Sequence, residues 1–242
     1  MRTLVVVPTY EEAGNIEELL RRLRTAVPEV DILVVDDSSP DGTAGIVETV
    51  AGELGQIEVA VRPTKDGLGT AYRHGFRIGL DRSYDRLVQM DADLSHDPAA
   101  LPSLLEALGD GVGMVIGSRY VPGGSIPNWP WHRRALSKWG NRYTQWVLGL
   151  QISDATSGFR VWRADVVRTI GLLDTTSVGY LFQIENAYRV VRSGERLAEA
   201  PIQFTDRVRG ISKMNGAVIW EELSHVTWWG LRDRLLRRRP RG

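Results

Sequence analysis

Asp91 and Asp93 stand one residue apart in QMDADLSHDP, directly after an apolar run. Carboxylates at that spacing suit a hard divalent cation, Mg2+ or Mn2+, completed by water and substrate phosphates. Such an ion offsets the charge that builds on a diphosphate leaving group. Two acids cannot close a structural metal site alone, so the pair points to a phosphate-bearing ligand. The competing reading is a solvated turn plus a cap for the next helix, and the short pattern taken alone favours it. Three more polar stretches follow apolar runs: PTYEE (8–12), DDSSPDGT (36–43) and SRY (118–120). In the first, the Tyr10 ring could stack on a base and Glu12 could accept hydrogen bonds from guanine N–H groups. Asp36 and Asp37 stand where acids hold a ribose hydroxyl or base in nucleotide folds. Asp41-Gly42 reads as a turn and helix cap. Gly67 and Gly69 in KDGLGTAY read as tight packing rather than a phosphate cradle.

These residues can converge only if the elements before them lie side by side. Apolar runs at 3–8, 31–37, 57–62, 86–91 and 112–118 read as buried strands. Helix-like stretches at 15–26, 41–54, 68–82 and 98–108 alternate with them. That alternation predicts βαβ units and a mostly parallel sheet with helices on both faces. Asp41 is expected to cap the second helix, and Asp97 followed by Pro98 to start the fourth. Ligands of such sheets bind outside the carboxyl ends of the strands, where all four polar stretches fall.

The 242 residues, 43% of them hydrophobic, suit one large domain or a domain with an appendage. Acids and bases balance at 30 each, which argues against a nucleic-acid binder. There is no cysteine, so disulfides and thiolate metal sites are excluded. No His/Cys set supports zinc, and His96 and His132 read as supporting or structural. The opening apolar run is too short for a signal peptide core, and no run is long enough to cross a bilayer. All eight tryptophans lie at or after Trp129. Over 132–150, Leu136, Trp139, Tyr143, Trp146, Val147 and Leu150 recur at helical spacing, with Arg133, Arg134, Lys138 and Arg142 on the other side. A second amphipathic candidate, 216–236, carries Trp228, Trp229 and an arginine-rich end. Both could lie in a membrane surface, or pack on the main domain.

Taken together, VVVPTYEE, VVDDSSPDGT, GLGTAYRHG, QMDADLSHDP, GSRYVPGG, DATSGFRVW and DRVRGISKMN resemble the family 2 glycosyltransferases in order and spacing. Within them they are most similar to dolichol- or polyprenol-phosphate mannose synthases, over about 3–215. The resemblance implies a GT-A (Rossmann-like) α/β fold, with amphipathic interfacial helices in the C-terminal half. It implies a catalytic domain over 1–215 and an Arg-rich membrane-surface segment over 216–242. It also implies GDP-mannose as donor, Mg2+ or Mn2+ as metal, and a polyprenyl phosphate as acceptor. Pro8, Tyr10, Glu12, Val35 and Asp37 would then line the nucleoside pocket. Asp91, the Ala92 carbonyl and Asp93 would meet metal and diphosphate. Ser95 falls where some relatives have a metal-proximal glutamine, and its shorter side chain would ligate directly or through a water. Glu11 departs from the commoner PTYNE, a change expected to be tolerated.

A phosphate acceptor is already anionic, so it needs cations rather than a general base. By resemblance, Arg119, Arg133 and Ser137 bind that phosphate, and Arg207 and Lys213 clamp phosphates as catalytic groups. Displacement would be in line, inverting the donor to a β-mannosyl phosphate. Some relatives carry membrane helices after this region. The chain is therefore expected to sit peripherally on the cytoplasmic side of the cell membrane, or to be recruited by a separate anchoring protein. The alternatives are transfer from UDP-glucose, a sugar-1-phosphate nucleotidyltransferase, or a non-catalytic membrane-binding scaffold. The nucleotidyltransferase would want a glycine-rich basic loop after the first strand, which PTYEEAGN lacks.

Overall fold

The structure, a computed structural model, describes residues 1–177, 179–206 and 223–232. The apolar runs form β1 (Thr3–Thr9), β2 (Asp31–Asp36), β3 (Ile57–Val61), β4 (Arg86–Gln89) and β5 (Val112–Ser118). Between them lie α1 (Ile16–Ala26), α2 (Thr43–Leu54), α3 (Leu68–Asp81) and α4 (Leu101–Ala107). The expected helix over 98–108 is split. Asp97 caps a 3-10 turn at Pro98–Ala100 by accepting from the Ala99 N–H, and α4 follows. After β5 come α5 (Trp131–Leu148), β6 (Arg160–Arg163), α6 (Ala164–Thr169), α7 (Gly179–Ser193) and β7 (Arg196–Pro201). Residues 223–232 are helical.

The seven strands run in the order β3-β2-β1-β4-β6-β5-β7. β6 is antiparallel to both its neighbours; every other pair is parallel. Sheet order reverses direction between β1 and β4, which opens a crevice at their carboxyl ends. Strands β1 and β2 bury side chains on both faces. Leu4, Val6, Leu33 and Val35 pack under α3, while Val5, Val7, Ile32 and Val34 pack against α1 and α2. This is why their sequences are apolar throughout rather than alternating. Pro8 is tolerated in central β1 because β4 has already ended: its last paired residue, Gln89, faces Val6.

Helix α3 lies unusually close to the sheet. A Cβ at Gly75 would come within 2.4 Å of Val6 and one at Gly79 within 2.5 Å of Leu87. The same close packing explains Gly69, whose added Cβ would meet the Ser177 carbonyl at 2.8 Å. That glycine serves packing, as expected from KDGLGTAY.

Candidate active site

The three loops leaving β1, β2 and β4 turn sharply at one rim of the sheet. Each contains a non-glycine residue in the left-handed region: Glu11 (φ 60°), Ser38 (φ 52°) and Leu94 (φ 59°). Such residues cost on the order of 1–2 kcal/mol each and tend to cluster at functional sites. The backbone accounts for Glu11 too. Asn, the commoner residue there, adopts this conformation most easily; Glu11 is held in it by donating its N–H to Ser39 Oγ at 3.0 Å.

After β4, Asp91 and Asp93 reach one cavity of about 380 Å3. Asp91 Oδ1 accepts from the Tyr72 hydroxyl at 2.8 Å, and Asp91 Oδ2 lies 4.0 Å from His96 Nε2. Burial, and then the charge of Asp91, hold the Tyr72 phenol well above its ordinary pKa, so it stays a donor. Asp93 is buried, and its Oδ1 accepts from the Ser95 N–H at 3.1 Å and the Ser95 hydroxyl at 2.5 Å. The Ser95 hydroxyl thus orients the Asp93 carboxylate. His96 is buried between the rings of Phe159 and Phe204. Among the described residues, no group of three or more Asp, Glu, His or Cys is arranged to hold a metal ion.

Two residues expected on the nucleoside side are engaged inside the protein. Asp37 is a closed carboxylate: Arg62 donates to Oδ1 from Nε at 2.7 Å and to Oδ2 from Nη2 at 3.0 Å, with both side chains buried. Val35 is wholly buried in the core under α3. Asp36 accepts from the Thr9 hydroxyl and from the Ser39 N–H and hydroxyl, fastening the β1 and β2 ends together. Glu12 accepts from Asn15 Nδ2 at 2.7 Å, and Lys65 Nζ lies 3.2 Å from the Tyr10 ring centroid. Asp41 accepts from the Thr43 N–H and hydroxyl and from the Ala13 N–H, although Gly42 is the residue in the cap position of α2.

Arg119, Arg133 and Ser137 line the same cavity as the acid pair. Arg119 is buried, and its guanidinium grips Asp154 through Nε at 2.6 Å and Nη2 at 2.6 Å. Burial lowers the basicity of Arg119 and raises the pKa of Asp154. Their mutual attraction outweighs both effects, so the arginine stays charged and the acid stays ionised. Arg119 thus lines the cavity already paired with Asp154. Arg133 stacks on Trp129 with its guanidinium carbon 4.0 Å from the ring centroid and donates to Asp206 Oδ1 at 2.8 Å. Ser137 Oγ accepts from the Tyr120 hydroxyl at 2.7 Å. Arg207 and Lys213 lie outside the described residues. Beyond Ser137 the lining turns apolar with Leu136, Trp139, Ile184, Leu223 and Val226.

Residues 4–171 match the family described as glycosyl transferase family 2. The chain belongs to that family. The glycosyltransferase is 50% identical to an undecaprenyl-phosphate mannosyltransferase of Micrococcus luteus, over 97% of this chain and 96% of the relative. It is 47% identical to a polyprenol monophosphomannose synthase of Mycolicibacterium smegmatis, over 98% and 90%. Its fold is GT-A-like. It matches the crystal structure of glucosyl-3-phosphoglycerate synthase from Mycobacterium tuberculosis, in complex with Mn2+, UDP-glucose and phosphoglyceric acid. That match has a TM-score of 0.68 at 19% identity and covers 95% of this chain and 79% of that one.

Several side chains that partner the glycosyltransferase's site residues are not among the candidates its sequence offers. Arg62 and Tyr72 fall outside the acidic motifs they serve, and Asp206 is one residue before the expected phosphate clamp. Asp154 lies within DATSGFRVW, a stretch whose chemistry shows only when its partner Arg119 is brought beside it.

Helix α5 lies within two residues of the expected span at either end. Its buried side is Asn141, Thr144 and Val147, whereas Trp131 and Trp146 stand 81% and 71% exposed. The expected apolar face groups Trp139 and Trp146 with Val147; the structure buries Val147 and leaves Trp139 and Trp146 51% and 71% exposed. The 223–232 helix packs on α5 and α7 through Val226, through Thr227 against the Tyr143 hydroxyl, and through Trp229 stacked on Tyr188. Trp228 points outward, 61% exposed.

Proposed function

We propose that this glycosyltransferase transfers mannose from GDP-mannose to the phosphate of a polyprenyl phosphate at a membrane surface, releasing GDP. The observation that carries the proposal is the single cavity lined by Asp91, Asp93, Arg119, Arg133 and Ser137 together with apolar residues such as Leu136, Ile184 and Val226. The acids suit a metal-bound nucleotide diphosphate, the arginines an anionic headgroup, and the apolar residues a hydrocarbon chain. The names of the two relatives support mannose and an isoprenoid phosphate.

The residues present fit a hard divalent ion. The donors are carboxylate oxygens, and one oxygen each of Asp91 and Asp93 is already oriented by Tyr72 and Ser95. Asp91 and Asp93 would hold Mg2+ or Mn2+, with Mn2+ present in the solved neighbour. When bound, the ion stabilises the negative charge of the departing diphosphate. In the transfer itself, an acceptor phosphate oxygen forms a bond to the anomeric carbon as the bond from that carbon to the donor diphosphate breaks, with inversion. Arg133 positions the phosphate, and no proton must be removed first because the nucleophile is already anionic. Trp129 holds the Arg133 guanidinium flat, which restricts the geometries in which it can donate.

The proposed setting is peripheral, on the cytoplasmic face of the cell membrane. No helix among the described residues is long and apolar enough to cross a bilayer. Trp131, Trp146 and Trp228 stand exposed, and Lys138 and Arg142 share α5, a composition suited to the headgroup region of an anionic membrane. A separate anchoring protein is compatible with the same surface.

The decisive experiment incubates purified protein with Mn2+, a polyprenyl phosphate and radiolabelled GDP-mannose, then extracts lipid. Label is expected in the organic phase, in a product that mild acid cleaves. Label entering lipid only from UDP-glucose would replace the donor; none from either sugar nucleotide would sink the proposal.

A further inference from the structure

The stretch DATSGFRVW (154–162) has so far supplied only Asp154. We infer that Arg160, through the Asp154–Gly158 loop it holds, is a positioning residue for both walls of the active site. Arg160 opens β6 beside Gln89 of β4 and has no exposed surface. Its guanidinium makes three hydrogen bonds, all to backbone carbonyls: Nε to Ser157 at 2.9 Å, Nη2 to Ala155 at 2.7 Å and Nη1 to Gln183 at 2.7 Å. A buried cation kept for stability alone is normally closed onto a carboxylate. Here the charge fastens a loop to β6 and to α7. Burial pulls its pKa down to about 9, so it remains charged at neutral pH.

What the loop does explains why it must be fixed. At one end Asp154 grips Arg119, and the Thr156 hydroxyl accepts from Arg119 Nη2 at 2.8 Å. In the middle, the Ala155 N–H donates to Asn141 Oδ1 of α5 at 2.8 Å and Ser157 Oγ donates to the Gly117 carbonyl at 2.6 Å. At the other end Gly158 backs directly onto the metal-side acid: an added Cβ would lie 3.0 Å from Asp91 Oδ2. One short segment therefore sets the acceptor-side arginine and limits the position of the donor-side carboxylate. The planar fork of arginine reaches three separated carbonyls; a lysine ammonium on its flexible stem does not reproduce that geometry. Reacting groups displaced by about 1 Å lose on the order of 10²-fold in rate.

The assignment of the two walls rests on the function proposed above, so the test includes a measurement independent of sugar transfer. Arg160→Lys and Gly158→Ala are made in the full chain. Each is examined for thermal unfolding, for kcat and the two KM values, and for Mn2+ affinity. That affinity is read from the electron paramagnetic resonance signal of free Mn2+ in the presence of the nucleoside diphosphate. Gly158→Ala is expected to weaken Mn2+ binding roughly tenfold or more, leaving the acceptor KM unchanged. Arg160→Lys is expected to weaken Mn2+ binding, raise the acceptor KM and lower kcat roughly 10²-fold. A folded Arg160→Lys protein with wild-type Mn2+ affinity and kcat overturns the inference, as does a Gly158→Ala protein with unchanged Mn2+ affinity. Should Arg160→Lys fail to fold, Asn141→Ala removes a different tie to the same loop. It must then raise the acceptor KM, and an unchanged value overturns the inference equally. If wild type moves no mannose while the Mn2+ results hold, only the proposed function falls.

Discussion

Asp36-Asp37 and Asp91–Asp93 both follow parallel strands, β2 and β4, and both stand at the crevice rim. The first pair is consumed internally: Asp36 by Thr9 and Ser39, Asp37 by the buried Arg62. The second pair opens into the cavity, where Asp91 accepts from the Tyr72 hydroxyl and Asp93 from the Ser95 N–H and hydroxyl. Carboxylates of identical type and nearly identical placement thus separate into a structural pair and a ligand-facing pair. One difference is the buried arginine beside the first pair: β3 delivers Arg62 to Asp37, whereas Asp91 and Asp93 line the cavity.

That contrast predicts where mutations will be felt. Replacing Asp37 by Ala strands Arg62 as a buried unpaired charge and should cost about 3–5 kcal/mol of stability, measured by urea unfolding. The double variant Asp37→Leu/Arg62→Met should recover much of that loss, and failure to recover would break the contrast. Asp93→Asn should do the reverse. Turnover with labelled sugar nucleotide is expected to fall roughly 10²–10³-fold, while the unfolding midpoint shifts little. Equal destabilisation by Asp37→Ala and Asp93→Asn would mean that the pairs are alike after all.

The buried Arg119–Asp154 pair sharpens the same point through pH. Burial pushes the Asp154 carboxyl up, and the charge and hydrogen bonds of Arg119 bring it below its ordinary value. A depressed folded pKa contributes stability that is fully present above the unfolded value of about 3.9, and that is lost as pH falls through the folded one. Acid unfolding of wild type should therefore steepen below about pH 4, and Asp154→Asn should flatten that limb of the stability curve. The smallest stability effect is expected at the surface. Trp131→Ala with Trp146→Ala should change stability by less than about 0.5 kcal/mol each. The same double variant should lose binding to anionic phospholipid vesicles in a flotation assay. Undiminished flotation would detach α5 from the membrane.

Much of this is legible in the chain. The five strands of the first half are nearly continuous apolar runs because helices cover both their faces, and each lies within two residues of its expected span. No strand is expected over 160–163 or 196–201, yet β6 and β7 exist there. β6 has four residues and carries Arg160 and Arg163; β7 is half-exposed at the sheet edge and reads RLAEAP. Neither holds enough apolar sequence to announce itself, and β6 is a strand because β4 and β5 lie on both sides of it. The acid pair of β4 and the cavity-lining Arg133 were readable as types at strand and helix ends. The closure of Asp37 and the turning of Ser95 onto Asp93 were not.

The sequence by itself determined the alternating parallel architecture, the polar strand ends and the family, since each rests on local pattern and on motifs in fixed order. Tertiary structure alone decided which charges find one another inside the protein. Asp37 finds Arg62 across 25 positions, and Arg119 finds Asp154 across 35. Electrostatic attraction depends on separation in space and on shielding from water, and neither can be counted along a chain.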